Sequence, residues 1–218
     1  MANILALDVS TSIVGVCIVD TDVEPDAKGS HILLLSHIAF KGCNTLWEKA
    51  DRVQHSLQVL QDQLFCRGPV LGEPPVEGWV SGQEHITRVV LEEPLMGFRP
   101  GMSSAQTIST LMRFNGIVSY IARNTFKKEP EYIGSAHARK LCGIKLLRTA
   151  IGGPQKEQVF AHMERHDLSH VVWPLKKNGK QEDWSRDACD AYVIARAATV
   201  AGPIGPPEKK AKKPKKTA

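Results

Sequence analysis

The chain has 218 residues, 42% of them hydrophobic and 23% charged, a composition that excludes a fibrous repeat or a wholly disordered chain and predicts one main core with insertions. The net charge of +5 is uneven: six lysines and one glutamate beyond Pro207 carry all of it, leaving 22 basic and 22 acidic residues before them. A neutral body with a basic end predicts an appended polyanion-binding arm, nucleic acid being the leading partner, and excludes a uniformly basic surface. Apolar runs such as residues 32–35 are too short to span a bilayer, and no signal or transit pattern precedes the first strand-like run. The expectation is a protein without membrane contact, cytoplasmic or nucleoid-associated, with the nucleus left open by the Lys-rich end. Five cysteines (17, 43, 66, 142 and 189) form no CxxC pair and are odd in number, which predicts reduced thiols and neither a zinc ribbon nor a disulfide scaffold.

In chain order, residues 3–7 and 13–19 are apolar and β-branched around the polar turn Ser10-Thr11-Ser12, which predicts a hairpin, and 31–40 predicts a third strand. Over 45–65, Leu46, Val53, Leu57, Leu60 and Leu64 recur at helical intervals. The Gly/Pro-rich stretch 68–82 breaks the pattern and reads as a surface insertion, because too little chain precedes it to complete a mixed sheet. A fourth strand is predicted at 88–93, a helix at 103–124, a short strand at 131–133, and helices at 136–142 and 154–166. Residues 167–183 read as a loop that turns at Lys176-Lys-Asn-Gly-Lys, and a last helix runs from the N-cap candidate Ser185 to about residue 200. Residues 1–201 then form one domain, and 202–218 a disordered Lys-rich tail. Hairpin connections followed by crossovers predict an α/β fold with a mixed sheet, three antiparallel strands and then parallel ones, covered by helices on both faces.

The chemistry lies in the acids. Asp8 ends the first strand, Glu92-Glu93 the fourth, and Asp187 and Asp190 are three apart at the start of the last helix, on one face. Ala188, Ala191, Ile194, Ala195 and Ala198 give that helix a small-residue face able to lie close on a sheet and draw the aspartates inward. Singly, each acid is an ordinary cap or solvated charge. Together they would repel unless cations sat among them, and hard divalent ions prefer carboxylate oxygens.

The segments Ile4-Leu-Ala-Leu-Asp8-Val-Ser-Thr-Ser, Val89-Val-Leu-Glu92-Glu-Pro and Arg186-Asp187-Ala-Cys-Asp190-Ala-Tyr resemble the three acidic motifs of RuvC-like Holliday-junction resolvases, over residues 3–200. Gly153-Pro-Gln-Lys156-Glu-Gln-Val resembles the family's Lys-containing helix start. The resemblance implies an RNase H-like fold, a homodimer, two Mg²⁺ ions with Mn²⁺ able to substitute, and paired nicks across four-way DNA junctions in recombination and repair. It assigns Asp8, Glu92, Asp187 and Asp190 as catalytic metal ligands and Lys156 to a DNA phosphate. Departures from compact members, at 67–86, 167–183 and the tail, suggest a viral or otherwise divergent member.

Phe98 stands where the family carries an aromatic that probes the junction centre, and Arg99 and Arg113 are candidate phosphate contacts. Lys209, Lys210, Lys212, Lys213, Lys215 and Lys216 form either a DNA tether or a nuclear-localisation-like signal. The apolar face of helix 103–124 (Ile108, Leu111, Met112, Ile117, Val118, Ile121) is wide enough for a core and a second copy. His162, His166 and His170 fall at four-residue intervals, but without a further fixed ligand they read as ordinary surface histidines and not a zinc site. Two alternatives stand beside the nuclease: a noncatalytic branched-DNA scaffold, which has no need of clustered charge, and an actin- or sugar-kinase-like phosphotransferase, which needs a second domain and phosphate loop that the chain lacks.

Overall fold

The computed structural model describes residues 2–25, 29–65, 86–94 and 104–204. These form strands β1 (Asn3–Val9), β2 (Ile13–Asp20), β3 (Ile32–Ala39), β4 (Ile86–Glu92) and β5 (Pro130–Ile133). The helices are α1 (Leu46–Phe65), α2 (Ala105–Phe126), α3 (Ser135–Leu141), α4 (Thr149–Gly152), α5 (Gln155–Arg165) and α6 (Trp184–Ala201). The sheet order is β3-β2-β1-β4-β5, antiparallel across the first three and parallel across β1, β4 and β5. This is the RNase H-like mixed sheet that the sequence predicts. No helix among the described residues is long and apolar enough to cross a membrane.

Every residue of β1 is buried, because this central strand is covered on both faces and reads as a continuous apolar run without polar alternation. Ile4 and Ala6 face one core with Cys17, Val19 and Val90 under α3, α5 and α6. Leu5, Leu7 and Val9 face the other, under α1 and α2. α1 begins with a capping box: the Thr45 hydroxyl accepts from the Glu48 N–H at 3.2 Å, and a Glu48 carboxylate oxygen accepts from the Asn44 and Thr45 N–H groups. Ser104 caps α2, accepting from the Thr107 N–H at 3.1 Å.

One local expectation needs correcting. Ser185 is not the cap of the last helix: Ser185 and Arg186 N–H groups already donate to the Glu182 and Asp183 carbonyls, so winding starts earlier and the Ser185 hydroxyl is turned inside. α4 has no counterpart among the predicted helices, since four residues carry no periodicity. The histidine series does not share a helix face, because α5 stops at Arg165 and His170 packs instead against Gly29. The turn at 176–180 is present, closed by the Lys176 N–H donating to the Lys180 carbonyl and flanked by a Leu175–Gln181 bridge. Most of the insertion at 67–86, Phe98, Arg99 and the tail lysines lie outside the described residues.

Candidate active site

Strand pairing builds a row across the sheet. Asp8 on β1 lies opposite Gly15 on β2, and Gly15 opposite His37 on β3. The parallel register pairs Leu7 with Leu91, so Glu92 is the next residue along β4 beside Asp8. Alternation puts Glu92 on the face of Arg88, whose guanidinium reaches the Ala198 carbonyl of α6 and that of Gly202. Asp8, Gly15, His37 and Glu92 therefore all face α6.

The first turn of α6 descends onto this row at its one gap. A Cβ on Gly15 would stand 2.0 Å from the Asp187 carbonyl oxygen and 3.1 Å from the Ala188 nitrogen, so only glycine admits the helix here. Ala188, Ala191, Ala195 and Ala198 are fully buried and continue the close contact along the helix. Asp187 and Asp190 are thereby brought to Asp8 and Glu92, four acids from three distant segments. The N-terminus of α5 adds Lys156, whose ammonium lies 2.7 Å from Asp187 Oδ1 and 3.5 Å from Asp190 Oδ2.

The electrostatics are those of a site with too much negative charge. Burial, followed by the Asp190 charge and a side-chain hydrogen bond with Glu92, holds Asp8 well above the usual carboxylate range. A hydrogen bond between two carboxyl groups requires a proton on one of them. Burial also pushes Asp190 up to about 6; Lys156 opposes this, while Glu92 and Asp187 add to it. Lys156 is pulled down by burial, but the Asp187 acceptor and the charges of Asp190 and Asp8 outweigh that and raise it. A shared proton and one ammonium are thus the protein's own means of neutralising the row.

The sign of the pH dependence follows. An acid whose folded pKa lies above its unfolded value stabilises the fold below the unfolded pKa and loses that contribution as pH rises through the folded one. For Asp190 the window runs from the ordinary 3.8 to about 6, and Asp8 acts in the same direction. Thermal melting without added divalent ions is expected to show this pair lowering stability across that window, with Asp190→Asn removing part of the slope.

Three contributors had no sequence signal of their own. The Asn115 amide of α2, buried in an apolar face, donates to the Glu92 carbonyl at 3.2 Å and fixes the end of β4 from the opposite layer. His37 stacks on Trp184 at 4.3 Å between centroids, and Trp184 meets Trp173 edge-on, so an aromatic group seats the start of α6. Burial lowers His37, against the pull of Asp187 and Glu182. Arg186 forks onto Glu157 at 2.9 and 3.0 Å over the Phe160 ring, tying α6 to α5 at the residue next to Lys156. Arg113, by contrast, is exposed on α2, in the layer across the sheet from the acids.

The donor set is all oxygen acid, the chemistry that suits a hard divalent cation. Its spacing is another matter: among the described residues no group of three His, Cys, Asp or Glu side chains is placed to hold one ion, and the Lys156 ammonium lies beside Asp187 and Asp190.

No protein-family model matches the sequence, and no curated protein does. Solved structures do match in fold. Thermus thermophilus RuvC in complex with a Holliday junction substrate is 12% identical with a TM-score of 0.55, covering 92% of this chain and 94% of that one. The Thermus thermophilus RuvC structure is 15% identical with a TM-score of 0.52, over 91% and 93%. At that identity the likeness establishes a RuvC-like fold.

Proposed function

We propose that the chain is a divalent-metal-dependent endonuclease that resolves four-way and related branched DNA junctions, acting as a homodimer. One observation carries this reading: Gly15 lets α6 set Asp187 and Asp190 over the row of Asp8 and Glu92. A sheet gains nothing from gathering four acids unless cations join them. The likeness to a RuvC bound to a Holliday junction supports the substrate class.

Asp8, Glu92, Asp187 and Asp190 would hold Mg²⁺, two ions in all, with Mn²⁺ able to substitute. When bound, the metal supplies an activated water and stabilises the leaving oxygen of a phosphodiester. The chain's own work is to hold these carboxylates fixed and, through Lys156, to place a cation that moves from Asp187 to a DNA phosphate. Exposed Met112 and Tyr120 with half-buried Ile108 on α2 offer the second copy an apolar stripe away from the site. The lysines at 209–216, with Phe98, Arg99 and Arg113, are proposed as further DNA contacts.

The position of Lys156 between Asp187 and Asp190 favours one second reading, a noncatalytic scaffold that binds branched DNA. Incubating the purified chain with four-way junction, duplex and single-stranded DNA, with and without Mg²⁺, separates the two. Paired nicks confined to the junction and dependent on Mg²⁺ are expected; tight junction binding without nicks would leave the scaffold.

The adjacent glutamates offer a sharper test. Glu93 follows the last residue of β4, donates its N–H to the Ile133 carbonyl, and turns its side chain toward Gly134. Glu92→Gln should abolish Mg²⁺-dependent nicking, whereas Glu93→Gln should keep it within about tenfold, roughly 1.4 kcal/mol of barrier. The reverse ranking in single-turnover assays would make Glu93 the ligand.

A further inference from the structure

Between Glu131 and Glu157 the chain has no acidic residue but carries Arg139, Lys140, Lys145, Arg148 and Lys156, in a body otherwise balanced in charge. Of these five cations, only Lys156 has an ion pair with a described residue. Arg139, Lys140 and Lys145 line an open concavity of about 330 Å³. Beside it, the turn that leads through α4 to Lys156 exposes two large apolar side chains, Leu147 at 57% and Ile151 at 76%.

This turn is held stiffly. Gln158 of α5 accepts from the Leu147 N–H at 2.8 Å and donates to the Leu147 and Gly153 carbonyls at 3.2 and 2.9 Å. A Cβ on Gly152 would stand 2.7 Å from the Gln158 amide and push it off these partners, and Gly153 has φ +74°, a conformation that favours glycine. The segment is thus a braced ridge with cations on its flank and an isoleucine at its crest, and it runs directly into the helix that delivers Lys156 to the acids. Leu147 and Ile151 together put an apolar step on this braced surface directly beside the cations.

We propose that residues 145–151 form a DNA-gripping ridge, with Lys145 and Arg148 on backbone phosphates and Ile151 wedged against an unstacked base step near the branch. The unpaired cations select a polyanion, and an apolar wedge beside them suits a duplex that opens or bends. The inference rests on the branched-DNA reading above and adds a surface that the acidic motifs do not include.

The test uses the full-length protein without divalent metal. Anisotropy titrations against a four-way junction and a duplex are run over a salt series, and 2-aminopurine placed at the branch reports unstacking. K145Q/R148Q is expected to lower the log–log salt slope on duplex by about 1.8, from about 0.9 per phosphate contact. I151S should keep that slope, lose the 2-aminopurine signal, and reduce the preference for junction over duplex about tenfold. All three residues are exposed, and melting curves matching the parent's check that the variants fold. An unchanged slope in the first variant, or an unchanged signal and preference in the second, overturns the ridge and leaves it to a protein partner. A parent chain that binds no branched DNA overturns the functional reading and the ridge together, whereas parent binding with insensitive variants overturns the ridge alone.

Discussion

Asp8→Asn is expected to give a chain that binds a four-way junction nearly as the parent does, melts at a higher temperature, and does not cut. The gain in stability follows from the carboxyl's position: buried beside Asp190 and Glu92, it is held well above its ordinary pKa, so its charged form is unfavourable at neutral pH and a neutral amide of the same shape relieves this. The loss of cutting, on the order of 10³-fold or more, is the scale expected when a charge-stabilising group leaves a reacting centre. Asp187→Asn should lose cutting likewise and also loosen the Lys156 ammonium, which keeps an amide oxygen but loses the carboxylate charge 2.7 Å away. Single-turnover cleavage in Mg²⁺ alongside calorimetric melting checks both halves. A variant that cuts near the parental rate would remove the four-acid assignment, and one that cuts poorly and melts lower would mean that Asp8 is structural.

Gly15→Ala is the second large effect, and it reports on geometry alone. The added methyl would lie 2.0 Å from a backbone oxygen of α6, which cannot rotate away as a side chain could. The first turn of α6 must lift, at a cost of about 1–3 kcal/mol or more by the usual scale of overpacking. Cutting should fall further than stability does, since displacing reactive groups by about 1 Å can cost about 10²-fold. Urea unfolding, with cleavage assayed where the variant is folded, separates these. A variant as stable as the parent would mean that α6 does not lie this close to β2.

Much of the fold is legible in the sequence because its signals are local. The apolar run 3–7, the heptad-like leucines of α1 and the alanines of α6 each report burial of their own segment. The acids were legible because each sits at the end of such a segment, where alternation or helical spacing fixes its face; alternation sets Glu92 and Glu93 on opposite faces, and the resemblance to the resolvase motif is what points to Glu92. What stayed hidden depends on contacts between segments. Gly15 looks like any strand glycine until α6 is laid over it. Asn115 is an ordinary helical polar residue until its amide meets the end of β4. α4 is four residues long and is held by Gln158, whose partner Leu147 is 11 positions away. Lys156 was placed near the acids by resemblance, but nothing in its neighbours announced that its ammonium would bond to Asp187.

Arg88 fastens the far end of α6 as firmly as Gly15 admits the near one. Paired with Glu131, it holds the Ala198 and Gly202 carbonyls, while Glu131 also accepts from the Ile204 N–H. The helix is therefore a fixed spacer, and from Asp187 to Ala201 it measures about 20 Å at 1.5 Å per residue. Whatever follows Ile204 starts from that remote end. For DNA lying along the spacer this distance corresponds to about six base pairs. On the function proposed above, a lysine-rich extension starting there would add phosphate contacts that the acidic row does not make. Its contribution would then be measured in dwell time on the substrate, with the rate of the chemical step left untouched.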